Sequence, residues 1–184
     1  MQEAVQPEGD TNFTGLLKKI EGVCKNLTVP VLVKEVGWGI SGGVAKKLLD
    51  VGVSGIDVSG AGGTSWSQVE RFRLTDENDI QVAEAFLDWG IPTAEALVSV
   101  RKIPHSVPIF ASGGLKTGID IAKVLALGAN LAGMAGEFLK AAVVSEDHLF
   151  NTIKVIERIL KISLFVTGSK NLTDFSKNKI YKYG

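Results

Sequence analysis

From residue 28 to residue 136 the chain repeats one unit: a short apolar run rich in β-branched residues, one or more glycines, then a stretch with apolar residues at helical spacing. The runs are "VPVLVKEVG", "VSGIDVSG", "VPIFASGG" and "NLAGMAG". They are too short for helices and nearly continuous in apolar character, so they must be buried on both faces. That requires parallel pairing with helices as covers. The connecting helices carry their own signals. Ser41 can cap "SGGVAKKLLDVG", which Gly52 ends, and Pro92 and Thr93 open "IPTAEALVSVRKI". "GIDIAKVLALGA" follows the third run. Residues 13–27 form a helix ahead of the first strand, with Cys24 on its apolar side as a core residue. Residues 145–166 form a long last one with Ser145, Glu146 and Asp147 at its start. Residues 67–90 are less regular, with charge in "ERFRLTDEND" and a short helical signal in "IQVAEAFLDWG".

Two architectures satisfy this alternation, an open doubly wound sheet and part of a (β/α)8 barrel. The strands run into glycine at their C-terminal ends, where barrels gather their active groups. A whole barrel takes eight strands and typically ~250 residues, whereas four strands are visible in 184 residues. The opening "QEAVQPEGD" reads as a loop with no strand ahead of it. The expectation is therefore a single domain over residues 1–184 that forms the C-terminal part of a (β/α)8 TIM-type barrel, its first strands absent from the chain.

Composition narrows the function classes. Lys plus Arg and Asp plus Glu both number 20, so the formal charge is zero. This argues against nucleic acid and membrane surfaces as partners, which select a basic excess. No apolar run approaches a membrane span and no signal-peptide profile is present, so the default location is the cytoplasm. One cysteine excludes an internal disulfide and cysteine metal clusters. The only histidines, His105 and His148, read as surface residues, which leaves little material for histidine triads or histidine-bound metals.

Four places can carry chemistry. "ASGG" and "GMAG" end strands and lead towards helix starts, where unobstructed N–H groups bind phosphate; the alternative is that these glycines serve only their turns. Lys34 is a lone lysine at the end of an apolar strand. It is either a snorkelling lysine or one ion-paired with Glu35, or else a cation beside an electron-rich ring or an anionic intermediate. Gln2, Glu3 and Glu8 form an acidic opening, either a Mg²⁺ site or a solvated terminus. In "SGAGGTSW" the glycines let Thr64 and Trp66 approach a ligand, although Trp66 is equally consistent with packing.

Taken together, "QEAVQPEGDTNF", "PVLVKEVGWGIS", "GVSGIDVSGAGGTSWSQVERFR", "IFASGGLKTGIDIAKVLALGA" and "AGEFLKAA" closely resemble the type 2 isopentenyl diphosphate isomerases over nearly the whole chain, in order and in spacing. The resemblance implies an FMN-dependent barrel enzyme of isoprenoid biosynthesis that interconverts isopentenyl and dimethylallyl diphosphate. It further implies reduced FMN as acid–base, NAD(P)H as reductant, no net redox change, and homo-oligomers. By the same resemblance, Gln2 lies beside the substrate's allylic carbons and Glu3 binds Mg²⁺ on the diphosphate. Lys34 touches the flavin near N1 and O2, Ser59 and Thr64 contact the flavin, and Trp66 walls the substrate. Gly114, Leu115 and Lys116, with Ala135 and Gly136, hold the FMN phosphate. The family's basic residues and histidine near its own N-terminus have no counterpart here, and "SKNKIYKYG" stops early. The chain is thus expected to need a companion chain with the missing strands for catalysis. Two other readings remain: a non-catalytic FMN- or phosphate-binding fragment, and another FMN-dependent barrel oxidoreductase. A hydroxy-acid oxidase would bring a catalytic histidine near an arginine late in the barrel, and an inosine-monophosphate-dehydrogenase-like enzyme a nucleophilic loop cysteine. Neither is found.

Overall fold

The computed structural model describes residues 1–178, 180 and 181; the end of the closing stretch lies outside them. The four apolar runs are strands: β1 (Leu32–Lys34), β2 (Gly55–Asp57), β3 (Ile109–Ala111) and β4 (Leu131–Ala132). They form one sheet in the order β1-β2-β3-β4, every neighbour parallel, with Lys34 opposite Asp57, Asp57 opposite Phe110, and Ala111 opposite Ala132. Sequential order and uniform direction follow from the helical crossovers, because a parallel return needs a helix to bring the chain back.

Among the described residues, ten helices accompany the sheet: α1 (Gln2–Val5), α2 (Leu16–Asn26), α3 (Gly42–Asp50), α4 (Trp66–Arg71), α5 (Glu77–Glu84), α6 (Thr93–Arg101), α7 (Gly118–Ala126), α8 (Gly136–Val144), α9 (Glu146–Val166) and α10 (Leu172–Phe175). The main core lies between the sheet and helices α3, α6 and α7. Ile56, Val58, Ile109 and Ala111 face Leu48, Leu97, Val100 and Val124, all buried. A smaller cluster joins Ala122, Leu125 and Ala126 of α7 to Phe175 of α10. The outer strands are only half covered: Leu32 of β1 is 54% exposed and Leu131 of β4 is 58% exposed. A four-stranded parallel sheet with helical covers and two open edges is the architecture of a partial (β/α)8 barrel.

Local signals account for several boundaries. The Ser41 hydroxyl accepts from the Val44 N–H, and the Ser145 hydroxyl from the His148 N–H. Asp76 accepts from the N–H groups of Asn78 and Asp79, so α5 starts at Glu77, ahead of the apolar signal and inside the charged stretch that the sequence left irregular. The opening residues, expected as loop, contain the single turn α1, which packs on α4 and α5. Cys24 is half-buried at the margin of the main core instead of inside it, beside Gly52. His148 is exposed, but His105, expected on the surface, is half-buried with its Nδ1 atom enclosed and without a partner.

Candidate functional site

A cavity of about 720 Å³ opens at the C-terminal ends of the strands, within the size range of small-molecule sites. Each strand contributes to its wall: Lys34 from the end of β1, Asp57 and Ser59 from β2, Ser112 to Lys116 from β3, and Gly133 to Gly136 from β4. Parallel strands deliver their C-terminal residues to one rim, which gathers segments separated by about a hundred positions.

Lys34 does not pair with the Glu35 carboxylate, the bland alternative offered by the sequence. Its Nζ donates to the Glu35 backbone carbonyl at 2.7 Å and to the Ser59 hydroxyl at 3.2 Å. Glu35 Oε2 is occupied elsewhere, accepting from the N–H groups of Val36, Gly37 and Trp38 at 2.7, 2.7 and 2.6 Å. A carboxylate held this way fixes the turn after β1 through charge-assisted bonds. Among the described residues, two of the three lysine N–H groups thus have acceptors, and one is left at the cavity wall. Across the rim, Asp57 accepts the Ser112 hydroxyl at 3.0 and 2.8 Å and the Ser59 N–H at 3.1 Å.

The two strand ends singled out for phosphate binding differ in what they offer. After β3, Gly113 and Gly114 have φ of +99° and +73°, a region open to glycine at little cost. A Cβ on Gly113 would lie 2.1 Å from the Gly60 carbonyl oxygen, and one on Gly114 would lie 2.4 Å from the Gly62 carbonyl carbon. These glycines therefore serve close loop packing as well. Among the described residues, the N–H groups of Gly113, Gly114 and Leu115 have no protein acceptor. Those of Lys116 and Thr117 are taken by Asp120 Oδ2 at 3.1 and 3.0 Å, and the Thr117 side chain completes a capping box at the start of α7. Burial opposes the charge on Asp120, yet these N–H bonds and the Thr117 hydroxyl hold its carboxyl below the ordinary range. The α7 end is self-capped, so the backbone of Lys116 is unavailable for a phosphate. The start of α8 is different. Ala135 makes no side-chain cap, and a Cβ on Gly136 would meet nothing within 4 Å. Among the described residues the N–H groups of Gly136 and Glu137 have no protein acceptor, and both residues line the cavity.

Thr64 and Trp66 also line the cavity, and Trp66 is 44% exposed, so it is not a packed plug. Gln2 and Glu3 are not among the lining residues. Gln2 instead donates from Nε2 to Glu70 Oε1 at 3.0 Å, on the helix that Trp66 begins. Glu3 Oε2 accepts from Gln6 Nε2 at 2.9 Å and from the Asp10 N–H at 3.0 Å, closing the opening turn on itself. Among the described residues no group of three His, Cys, Asp or Glu side chains is arranged to hold a metal. Neither histidine lines the cavity.

Reading the sequence missed Asp57, Ser112 and Thr93. Thr93 is buried and donates to the Gly113 carbonyl at 2.6 Å and the Ser112 carbonyl at 3.2 Å, tying α6 to the loop after β3. Asp57 had the same signal as Lys34, a lone charge at the end of an apolar strand. Ser112 and Thr93 had none, since their roles depend on contacts across 55 and 19 positions.

Among related proteins, the isopentenyl-diphosphate delta-isomerase of Rickettsia rickettsii is 50% identical over 180 residues, covering 98% of this chain and 53% of that protein. The protein of the same name from Rickettsia canadensis is also 50% identical, with the same coverage. The chain thus spans about half the length of the curated relatives it matches. Among solved structures, a candidate lactate oxidase of Pediococcus acidilactici superposes with a TM-score of 0.70 at 20% identity, over 96% of this chain and 43% of that one. A flavocytochrome b2 variant gives 0.66 at 22%, over 91% and 38%. Identity this low speaks for the fold alone. No helix among the described residues is long and apolar enough to cross a membrane. The family model of the FMN-dependent dehydrogenases matches residues 4–182, and with the strand-end cavity built as above, the chain belongs to the FMN-dependent dehydrogenase family.

Proposed function

We propose that this chain is part of an FMN-dependent isomerase that interconverts isopentenyl diphosphate and dimethylallyl diphosphate, and that its strand-end cavity holds the flavin. One observation carries the reading. The free N–H groups of Gly113 to Leu115 and the uncapped start of α8 face one cavity, and Lys34 stands on its wall. Anionic phosphate suits the first pair, and a cation suits the electron-rich edge of the ring. The residues present fit FMN. When bound and reduced, it supplies negative charge and an exchangeable proton for a three-carbon shift without net redox change.

The chain's own residues have these roles. Gly114, Leu115, Ala135 and Gly136 bind the phosphate, with Lys116 contributing its ammonium instead of its backbone. Lys34 balances charge through its remaining N–H group, Ser59 and Thr64 line the flavin site, and Trp66 forms an apolar wall for the substrate's hydrocarbon. Gln2 orients substrate from outside the cavity wall by way of α1 and α4. Glu3 holds Mg²⁺ jointly with the substrate's diphosphate and water, since this ion takes one or two carboxylates beside phosphate oxygens; the bonds from Gln6 and Asp10 engage only its Oε2. NAD(P)H as reductant, a cytoplasmic setting and self-association belong to the same proposal. The open edges at β1 and β4 support coverage by further strands, from a companion chain or another copy.

The test is a visible spectrum of the purified chain after incubation with FMN and removal of free ligand, then an isomerase assay under reducing conditions. Stoichiometric flavin absorbance is expected, with isomerisation appearing only when the strands that complete the barrel are supplied. Flavin retained without isomerisation under either condition favours a non-catalytic binding fragment. A chain that retains no flavin refutes the proposal that this cavity suffices as a site.

A further inference from the structure

Ser59 is the only non-glycine residue with positive φ, +35°, among the described residues, and it is almost fully buried. A side chain in that region is strained and persists only where its surroundings over-determine it. Here the restraints are specific. The Ser59 N–H donates to Asp57 Oδ1 at 3.1 Å, and its carbonyl accepts from the Gly39 N–H at 3.1 Å. Asp57 is itself fixed by the Ser112 hydroxyl, which reaches both carboxylate oxygens. The hydroxyl of the strained residue then accepts from Lys34 Nζ. Lys34 and Asp57 are register partners on β1 and β2, so their side chains leave the sheet on the same face and at the same level. No direct ion pair joins them, and Ser59 is the link.

We propose that Asp57 is a positioning residue for Lys34: its carboxylate, locked by Ser112, holds Ser59 in a strained turn that places the hydroxyl anchoring the lysine at the cavity wall. Three strand ends then act as one unit, and the lysine's remaining N–H group is aimed by a carboxylate it does not touch. The other charged groups at the rim, Lys116 and the Glu137–Lys140 pair, come from the β3 and β4 side and do not touch this network. The functional meaning of the aim rests on the flavin reading above, whereas the link between Asp57 and Lys34 does not.

The experiment uses the full chain and its Asp57→Ala, Ser59→Ala and Ser112→Ala variants, each shown by circular dichroism and melting to be folded. Competitive acetylation with acetic anhydride, read by mass spectrometry, gives the labelling rate of Lys34 relative to exposed Lys154 on α9. Ser59→Ala removes the anchoring hydroxyl and sets the scale, a ratio raised about threefold, the scale of one net hydrogen bond; the same rise is expected in Asp57→Ala. In parallel, FMN titration by fluorescence quenching is expected to show binding weakened about tenfold in Asp57→Ala, with a shifted visible spectrum. An unchanged Lys34 ratio in Asp57→Ala overturns the inference, whatever Ser59→Ala or the flavin does. If the unaltered chain fails to bind FMN, the flavin reading falls, and the acetylation ratio still decides this one. Should Asp57→Ala not fold, Ser112→Ala decides it by the same ratio.

Discussion

Replacing Gly113 by alanine tests the central geometric claim, that the loops after β2 and β3 interlock at the cavity floor. At φ +99° an L side chain is strained, which costs about 1–2 kcal/mol. The new methyl would also start 2.1 Å from the Gly60 carbonyl oxygen, 2.8 Å from its nitrogen and 3.0 Å from its carbonyl carbon. Relief requires the Gly60 backbone to retreat, but that segment is backed by the buried Thr93, whose Cα lies 2.3 Å from where a Cβ on Gly60 would be. Overpacking of this kind adds about 1–3 kcal/mol. The sum is about 2–5 kcal/mol, which lowers the melting midpoint of a chain this size by roughly 5–15 °C. Gly136→Ala is the matched control, because its Cβ meets nothing within 4 Å. Its melting temperature should move by less than about 2 °C, the range of an unconstrained surface change. Gly136 also lines the cavity at the start of α8, so FMN binding should weaken in this variant although stability does not. Melting followed by circular dichroism, paired with fluorescence titration of FMN, separates the two effects. If Gly113→Ala melts with the unaltered chain, the loops do not interlock and the cavity floor has been misread.

Two further outcomes follow from the same structure. Thr93→Val keeps side-chain volume but removes the hydroxyl bonded to the carbonyls of Gly113 and Ser112. It should cost about 1–2 kcal/mol in urea unfolding, and a midpoint equal to the unaltered chain would show that α6 does not brace the loop. The Asp120 carboxyl is held below its ordinary range when folded, so its charged form contributes stability above the unfolded carboxylate range. That contribution is lost as pH falls from about 4 through the lower folded value. Asp120→Asn should therefore destabilise the chain at pH 7 by about 1 kcal/mol and narrow the gap between the two proteins on acidification. A gap that stays constant from neutral to acidic pH would refute the capping-box account.

Fold class, the four strands and the longer helices between them were legible in the sequence because they rest on local physics, whereas the single turns α1 and α10 were not. Short apolar runs bounded by glycine or proline and rich in β-branched residues favour a pleat over a helix. Serine caps acted where they stood, at Ser41 and Ser145. The charged stretch before residue 80 hid the start of α5 because Asp76 caps by its side chain, ahead of any apolar periodicity. The site was legible as a list of strand ends but not as a set of partners. From the sequence alone, Lys34 had Glu35 as its obvious acceptor, yet the Glu35 carboxylate folds back on the next three N–H groups and leaves Lys34 to Ser59. Two glycine-rich strand ends looked equivalent as phosphate sites, and only the structure separates a helix capped by its own Asp120 from one left open at Gly136. Gln2 and Glu3, adjacent in sequence to nothing else in the site, lie outside the cavity lining. The residues set the backbone's periodicity, its caps and its glycine turns one neighbourhood at a time. Which donor meets which acceptor was decided only when packing brought Lys34, Asp57 and Ser112 to one rim, because a hydrogen bond is fixed by distances that the order of the chain does not contain.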